Sequence, residues 1–503
     1  MATLTKIALV ITFALLSAIT YAQNYTGRVI DAKSGKPVPY ATVITGPHSG
    51  TITNEEGIFS LEIDKIRHAQ DSIYISSMGY EKVGLIATPE TETTIALTSK
   101  PFELKKVYLT NENLSPEEII DRVKLNLSDN YAVDMTRKKI FFRQSDLSKV
   151  NKFDIEFKES TIEELDKELI DSVARLIPRE HPYYRETVAD LYGDYSTYKL
   201  HIDKAAELYD KNKDISMDAM GDKLERIFKE NVKPDSYLKI KSGIFGTKVQ
   251  LDSLENAEEG ISDDTETITV KVEDENKPHY GFQWHIRNRI YDLYEELFFK
   301  EDTKLDFLEK SNRYRFEQRG YTFIDDSPVY IIDFTPKGKK DFQGTLFVNT
   351  QDFAIMRLDF ENVRPLRRFG LLGITYRHNV FRGKMLFAKN PNGGYGPRYL
   401  ELEDGELTGI DRPLKVIEKN KNVKGRRKQN ELSLHFDVLI SELSKYEMVV
   451  FESEAIDAGI YQGATENPKV EASYLSAYDP SFWEGYAIME PNAAIQAFRV
   501  VEE

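Results

Sequence analysis

The 503-residue sequence predicts a multidomain protein: a small all-β sandwich followed by an α+β domain with a large antiparallel sheet. Three observations carry this prediction. Residues 25–110 are short runs rich in Val, Ile, Thr and Tyr, broken at close intervals by turn residues. At residue 111 the apolar period lengthens toward that of helices. From 311 onward, long alternating segments succeed one another with short breaks, the pattern of sequential hairpins with one buried and one wet face.

The first 22 residues stand apart. Lys6 is followed by the almost wholly apolar run 7–19 and then by Thr20-Tyr21-Ala22, with small residues where a signal peptidase reads. The apolar run is shorter than the roughly 20 residues that span a bilayer. Residues 1–22 are therefore expected to be a signal peptide cleaved after Ala22, and the protein to be exported. Gln23 is not Cys, which closes the bacterial lipoprotein route.

Residues 23–110 form the predicted sandwich. Turn residues fall at Ser34-Gly35, Gly46-Pro47, Asn54 to Gly57, and Gly79. In Ile58-Phe59-Ser60-Leu61-Glu62-Ile63 the alternation puts Phe59, Leu61 and Ile63 on one face. Four spaced elements occur in order: Gly27-Arg28-Val29-Ile30-Asp31, Gly35-Lys36-Pro37-Val38-Pro39-Tyr40-Ala41-Thr42-Val43, Gly50-Thr51 to Gly57-Ile58-Phe59, and Ser77-Met78-Gly79-Tyr80. Together they resemble the carboxypeptidase-regulatory-like domain, a transthyretin-like sandwich common in exported proteins of Bacteroidetes. The resemblance implies an accessory module without catalytic groups, with Phe59 and Tyr80 as core aromatics.

Residues 111–310 read as a mixed helical and strand region. Ser115-Pro116-Glu117-Glu118 is a helix start, with Ser as N-cap, Pro at the first helical position and Glu three after the cap. Ile119, Ile120, Val123 and Leu127 follow near one helical face. Lys139 to Leu147 and Phe153 to Phe157 return to strand spacing. Ser160-Thr161-Ile162-Glu163 reads as a second capping box, opening a helix with the stripe Ile162, Leu165, Leu169, Val173 and Leu176 that Pro178 and Pro182 stop. Further helices are expected over 214–232 and 283–299, with an acidic exposed loop over 251–264.

Residues 311–450 read as the antiparallel sheet, forming one α+β domain with 111–310. Its strands are expected at Arg313 to Arg319, Val329 to Phe334, Gly344 to Asn349, Ala354 to Phe360, Gly373 to Val380, Gly383 to Ala388, Tyr399 to Leu402 and Leu432 to Ile440. The stretch from Val329 to Phe360 resembles the central hairpin of LolA-like lipoprotein carriers. That likeness implies a strongly curved sheet wrapping helices around an apolar cavity. Residues 451–503 read as a C-terminal tail, tied down by burying Phe482 and Trp483 of the turn Tyr478-Asp479-Pro480-Ser481-Phe482-Trp483.

Composition narrows the chemistry. There is no cysteine, so disulfides, thiolate metal sites and cysteine nucleophiles are excluded. A net charge of −16 argues against nucleic acid as a general partner. HExxH, GxSxG, a strand-linked GxGxxG and a P-loop are all missing. Gly393-Gly394-Tyr395-Gly396-Pro397 lies between strands and reads as a hairpin loop. Glu258, Glu259, Asp263 and Asp264 lack the ligand spacing of a calcium loop. His181, and His279 with His285, stand beside prolines and aromatics as packed or surface residues rather than metal ligands. No cofactor and no metal are therefore expected.

Two basic clusters stand out on this acidic chain: Arg364, Arg367 and Arg368, and the run 419–428 with Lys421, Lys424, Arg426, Arg427 and Lys428. Exposed cations concentrated in this way suit an anionic surface such as lipid headgroups or lipopolysaccharide phosphates. The expectation is a non-catalytic binding or carrier protein of the periplasm or outer membrane, receiving an acyl ligand or an envelope partner. The alternatives are a structural protein–protein interaction module and, with less to support it, a hydrolase whose site is assembled from distant residues.

Overall fold

The computed structural model describes residues 24–46, 49–62, 72–86, 93–100, 114–131, 134–243, 245–250, 281–390, 393–420, 422–425 and 427–500. Residues 1–22 with the expected signal peptide, Ile63, the acidic segment 251–264, His279, Lys421 and Arg426 lie outside the described residues.

Two small sheets face each other at the N-terminus. In the first, β1 (Asn24–Asp31) pairs antiparallel with β4 (Ile58–Glu62) and parallel with β7 (Thr93–Leu97). In the second, β2 (Thr42–Gly46) lies between β3 (Ser49–Ile52) and β5 (Ser72–Ser76), and β5 pairs with β6 (Val83–Ile86). Tyr25, Val29, Val43, Phe59, Leu61, Ile75 and Leu97 pack between them, because strand alternation turns these side chains inward from both sheets. Gly57 closes its turn at φ 73°, where a Cβ would collide with the Val29 carbonyl. Tyr80 is only partly buried and packs against this core from its rim.

The rest of the chain is built on one extended sheet, antiparallel except where the short last strand pairs parallel with its neighbour. Its strands are β8 (Thr136–Ser160), β9 (Glu180–Gly193), β10 (Tyr198–Leu208), β11 (Tyr237–Ser242), β12 (Phe245–Gln250), β13 (Tyr314–Ile324), β14 (Ser327–Pro336), β15 (Phe342–Asn349), β16 (Ile355–Asn362), β17 (Arg367–Leu371), β18 (Ile374–Lys389), β19 (Tyr395–Lys419), β20 (Lys428–Ala455) and β21 (Ser473–Leu475). Pairings run in the order β13, β14, β15, β16, β18, β19, β20, β8, β9, β10, β21. The hairpin partner β17 lies beside the far half of β18, and β11 with β12 lies beside the far half of β19.

Among the described residues, four helices of ten or more residues accompany the sheet: α1 (Pro116–Leu125), α2 (Lys167–Leu176), α3 (Lys211–Asn231) and α4 (Phe282–Glu295). The Ser115 capping box forms as the sequence requires, its side chain accepting from Glu118 N while the Glu118 carboxylate accepts from the Ser115 backbone. The second capping box does not form. β8 runs on to Ser160, Ser160 Oγ binds the Ile162 backbone in a turn, and α2 starts later, with Asp166 as its N-cap. The two strand segments expected within 139–157 are one strand of 25 residues, and those at 373–380 and 383–388 are one strand of 16 residues bent by a bulge after His378.

One face of the near half of the sheet curves around α1 and α4. Ile119, Ile120 and Val123 of α1 and Ile286, Ile290, Leu293 and Tyr294 of α4 join Phe142, Leu191, Leu200, Ile332, Leu346, Leu358, Leu400 and Met448 in a single core. The concave space is filled with rings: Tyr131 stacks on Phe299 at 4.8 Å and meets Phe298 and Phe387 edge-on. A cleft of about 40 Å³ lies instead between the sandwich and the sheet, lined by residues including Ser77, Met78, Asp325, Leu386 and Arg398. Ligand pockets are roughly ten times that size or more, about 300–1,000 Å³.

Beyond this core β8, β18, β19 and β20 continue outward as a long blade. β8 and β19 have 25 residues each and β20 has 28. At ~3.3 Å per residue each would extend about 80–90 Å. A separate small core of Ile162, Leu169, Ile227 and Val232 packs α2 and α3 against the end of the blade. Among the described residues no helix is long and apolar enough to cross a membrane.

Candidate surface-binding site

The junction of sandwich, sheet and tail holds a buried charge network. Arg143 on β8 pairs with Glu186 on β9 at 2.6 Å, and Trp483 Nε1 donates to the other Glu186 oxygen at 3.0 Å. Lys445 lies 2.7 Å from Glu55 of the sandwich, 3.2 Å from Glu447 and 3.3 Å from Glu401. Glu401 also pairs with Lys384 and accepts from Tyr399 at 2.9 Å and Tyr40 at 3.1 Å. Burial pushes the Glu401 carboxyl up, but Lys445 and Lys384 outweigh it and hold it down at about 2. In this network each carboxylate meets a cation or a hydroxyl, and the cluster fastens three parts of the chain together. Trp483, 1% exposed, is the peg of the tail, with Phe482 half-buried beside it.

The blade is organised differently. Cross-strand register aligns Ile374, Ile410, Val438 and Phe153 in one row over four strands. The next row holds Phe369, Tyr376, Thr408, Ile440 and Val150. On the opposite face, Asp411, Asp437 and Asp154 stand in register. The first two rows make one side of the blade apolar, as period-two alternation allows, while the other side carries charges of both signs, Lys152 pairing with Asp437 and Lys415 with Glu159.

Two hairpin tips meet along the free flank of β19. The β17–β18 turn passes through Leu372 at φ 51° and Gly373 at φ 78°. A Cβ on Gly373 would collide with the Asp411 carbonyl and crowd Arg412. The β11–β12 turn arrives from the other end: Arg412 donates to the Ser242 carbonyl and lies over the Phe245 ring at 5.0 Å. Six large apolar side chains surround this meeting point and remain open: Phe369 48%, Leu371 58%, Leu372 49%, Ile374 38%, Ile410 42% and Phe245 53% exposed. Two positive φ angles in a two-residue turn call for Asn-Gly. Leucine in the left-handed region costs about 1–2 kcal/mol. The turn thus bears strain while holding an apolar side chain in water.

Arginines flank the tip. Arg368 and Arg377 stand directly opposite each other across β17 and β18, and Arg367 opposes His378. Like charges in register repel. Arg367, Arg368 and Arg377 are exposed and have no ion pair among the described residues. Arg364 differs: its guanidinium is fixed by Asp341 at 2.7 Å and by the Lys339 carbonyl, so it is withdrawn from the expected basic cluster. Lys424 and Arg427 are exposed in the β19–β20 loop, where Lys428 pairs with Glu431. From Ile410 to the end of β19 at Lys419 the strand advances about 30 Å, so the two basic clusters do not converge. The apolar tip was missed from sequence because Phe369 to Ile374 reads like any core hairpin; only Leu372 directly before Gly373, at a turn, carried a signal.

Comparisons with known proteins complete the description. No curated protein matches the chain. A LolA superfamily protein from Nitrosomonas europaea overlays at 10% identity with a TM-score of 0.16, covering 69% of this chain and 97% of that one. The MucA/MucB complex structure from Pseudomonas aeruginosa gives 7% identity and a TM-score of 0.16, covering 64% and 93%. These scores are too low to establish a shared fold. At the N-terminus the match is direct: residues 25–109 fit the family model of the CarboxypepD_reg-like domain.

Proposed function

We propose that this chain is a non-catalytic protein of the bacterial cell envelope that docks on an anionic lipid surface through the tip of the β17–β18 hairpin. The observation that carries the reading is the convergence of six exposed apolar side chains at two abutting turns, one of them strained, backed by arginines that have no ion pair among the described residues. Phe369, Leu371, Leu372 and Ile374 would enter the acyl boundary, while Arg367, Arg368 and Arg377 would lie at headgroup phosphates. Each arginine near such a surface contributes about 1 kcal/mol. The mutually paired charges at the sandwich–sheet junction support a structural rather than a catalytic role for the buried titratable groups. The secretory pattern of residues 1–22 supports an envelope location.

Co-sedimentation of the mature chain with phosphatidylglycerol/phosphatidylcholine vesicles tests this. Binding to anionic vesicles is expected, with little to pure phosphatidylcholine. The Arg367→Gln/Arg368→Gln/Arg377→Gln variant should bind about 100-fold more weakly, since ~3 kcal/mol is lost. Absence of vesicle binding, or equal binding by the variant, would refute the proposal and turn attention to a protein partner.

A further inference from the structure

Where the blade joins the core, the strand pairing assembles a donor set that the surface-docking role does not use. His378 on β18 lies directly opposite Glu406 on β19, and Asp404 stands two residues earlier on the same strand. The bulge after His378 shifts the register so that Asp404 is drawn toward the imidazole. One donor atom from each of the three residues falls within 4.8 Å of the other two.

We propose that His378, Asp404 and Glu406 bind a divalent transition-metal cation. The imidazole supplies the second, independent observation. His378 is 7% exposed, and its Nε2 lies 2.7 Å from Asp404 Oδ1 yet makes no hydrogen bond, because the ring N–H is not directed at that oxygen. A buried imidazole nitrogen without a hydrogen bond is costly. Close donor atoms without a hydrogen bond between them suit two ligands of one ion. Two carboxylates and a neutral imidazole balance a dication, and a donor set of nitrogen and oxygen without thiolate suits Zn²⁺ or Mn²⁺. The Tyr376 hydroxyl donates to Glu406 and orients that carboxylate from outside the set. Of the nearby cations, Lys304 is engaged by Glu296, and Arg367 is exposed, where water screens its charge. Three protein ligands leave coordination positions for water.

The test is calorimetric titration of chelator-treated mature protein with ZnCl₂, repeated with MnCl₂. One equivalent of Zn²⁺ should bind with micromolar or tighter affinity. His378→Ala should weaken it at least tenfold, and so should Glu406→Gln, which keeps the side-chain shape should the alanine loosen the sheet. His285→Ala, on an exposed histidine of α4, should leave the affinity unchanged. No stoichiometric binding of either metal by the wild type, or undiminished binding in either site variant, would overturn the proposal.

Discussion

Replacing Leu372 by Asn separates folding from binding in one substitution. In the fold, Leu372 sits at φ 51° beside Gly373 at φ 78°, the geometry that Asn-Gly adopts without strain. Relief of the left-handed leucine is worth about 1 kcal/mol. With an unfolding entropy of ~2.1 cal/mol/K per residue over about 390 residues of the sheet domain, that raises Tm by about 1 °C. On a lipid surface the same change acts in reverse. Full burial of a leucine yields about 1.5–3 kcal/mol. Leu372 is 49% exposed, so about 1 kcal/mol remains to be gained on insertion. Desolvating the asparagine amide costs about another 1 kcal/mol. The variant should therefore be slightly more stable and bind anionic vesicles about 30-fold more weakly. Differential scanning calorimetry and vesicle co-sedimentation on the same preparation measure both. A fall in Tm, or unchanged vesicle affinity, would refute the reasoning.

Two further predictions concern the buried junction. Trp483→Ala removes a ring packed on Phe141 and the indole donor to Glu186, and should cost about 3–5 kcal/mol, seen as a calorimetric Tm drop of about 4–6 °C. Glu401 ionises in the fold at about 2 against an ordinary 4.5. A depressed carboxylate contributes fully above its unfolded value and loses that contribution as pH falls through its folded one. Stability of about 3 kcal/mol should thus disappear between pH 4.5 and about 2. Glu401→Gln should be less stable at pH 7, with Lys384 and Lys445 each short of a partner, and should show a flatter decline over that pH window in denaturant titrations. An equally steep decline would show that other carboxylates set the acid limb.

Local chemistry in the sequence determined a good deal. The alternation around Phe59 and Leu61 specified a sandwich face, and the spaced glycines and prolines before it identified the N-terminal module. Ser115 with Glu118 specified a helix start, because both hydrogen bonds close within four residues. The tertiary structure decided what depends on distant partners. Ser160 to Glu163 has the letters of a capping box, but β20 pairs with β8 as far as Ser160 and keeps it extended. Arg364 reads as a free cation until Asp341, on a neighbouring strand connection, fixes it. Residues 369–374 have the apolarity of a core hairpin, and the difference between core and exposed tip lies in what covers them, which no local pattern contains. His378, Asp404 and Glu406 belong to two strands and share a site only through register. Periodicity specifies which face a residue occupies; long-range pairing specifies what that face meets.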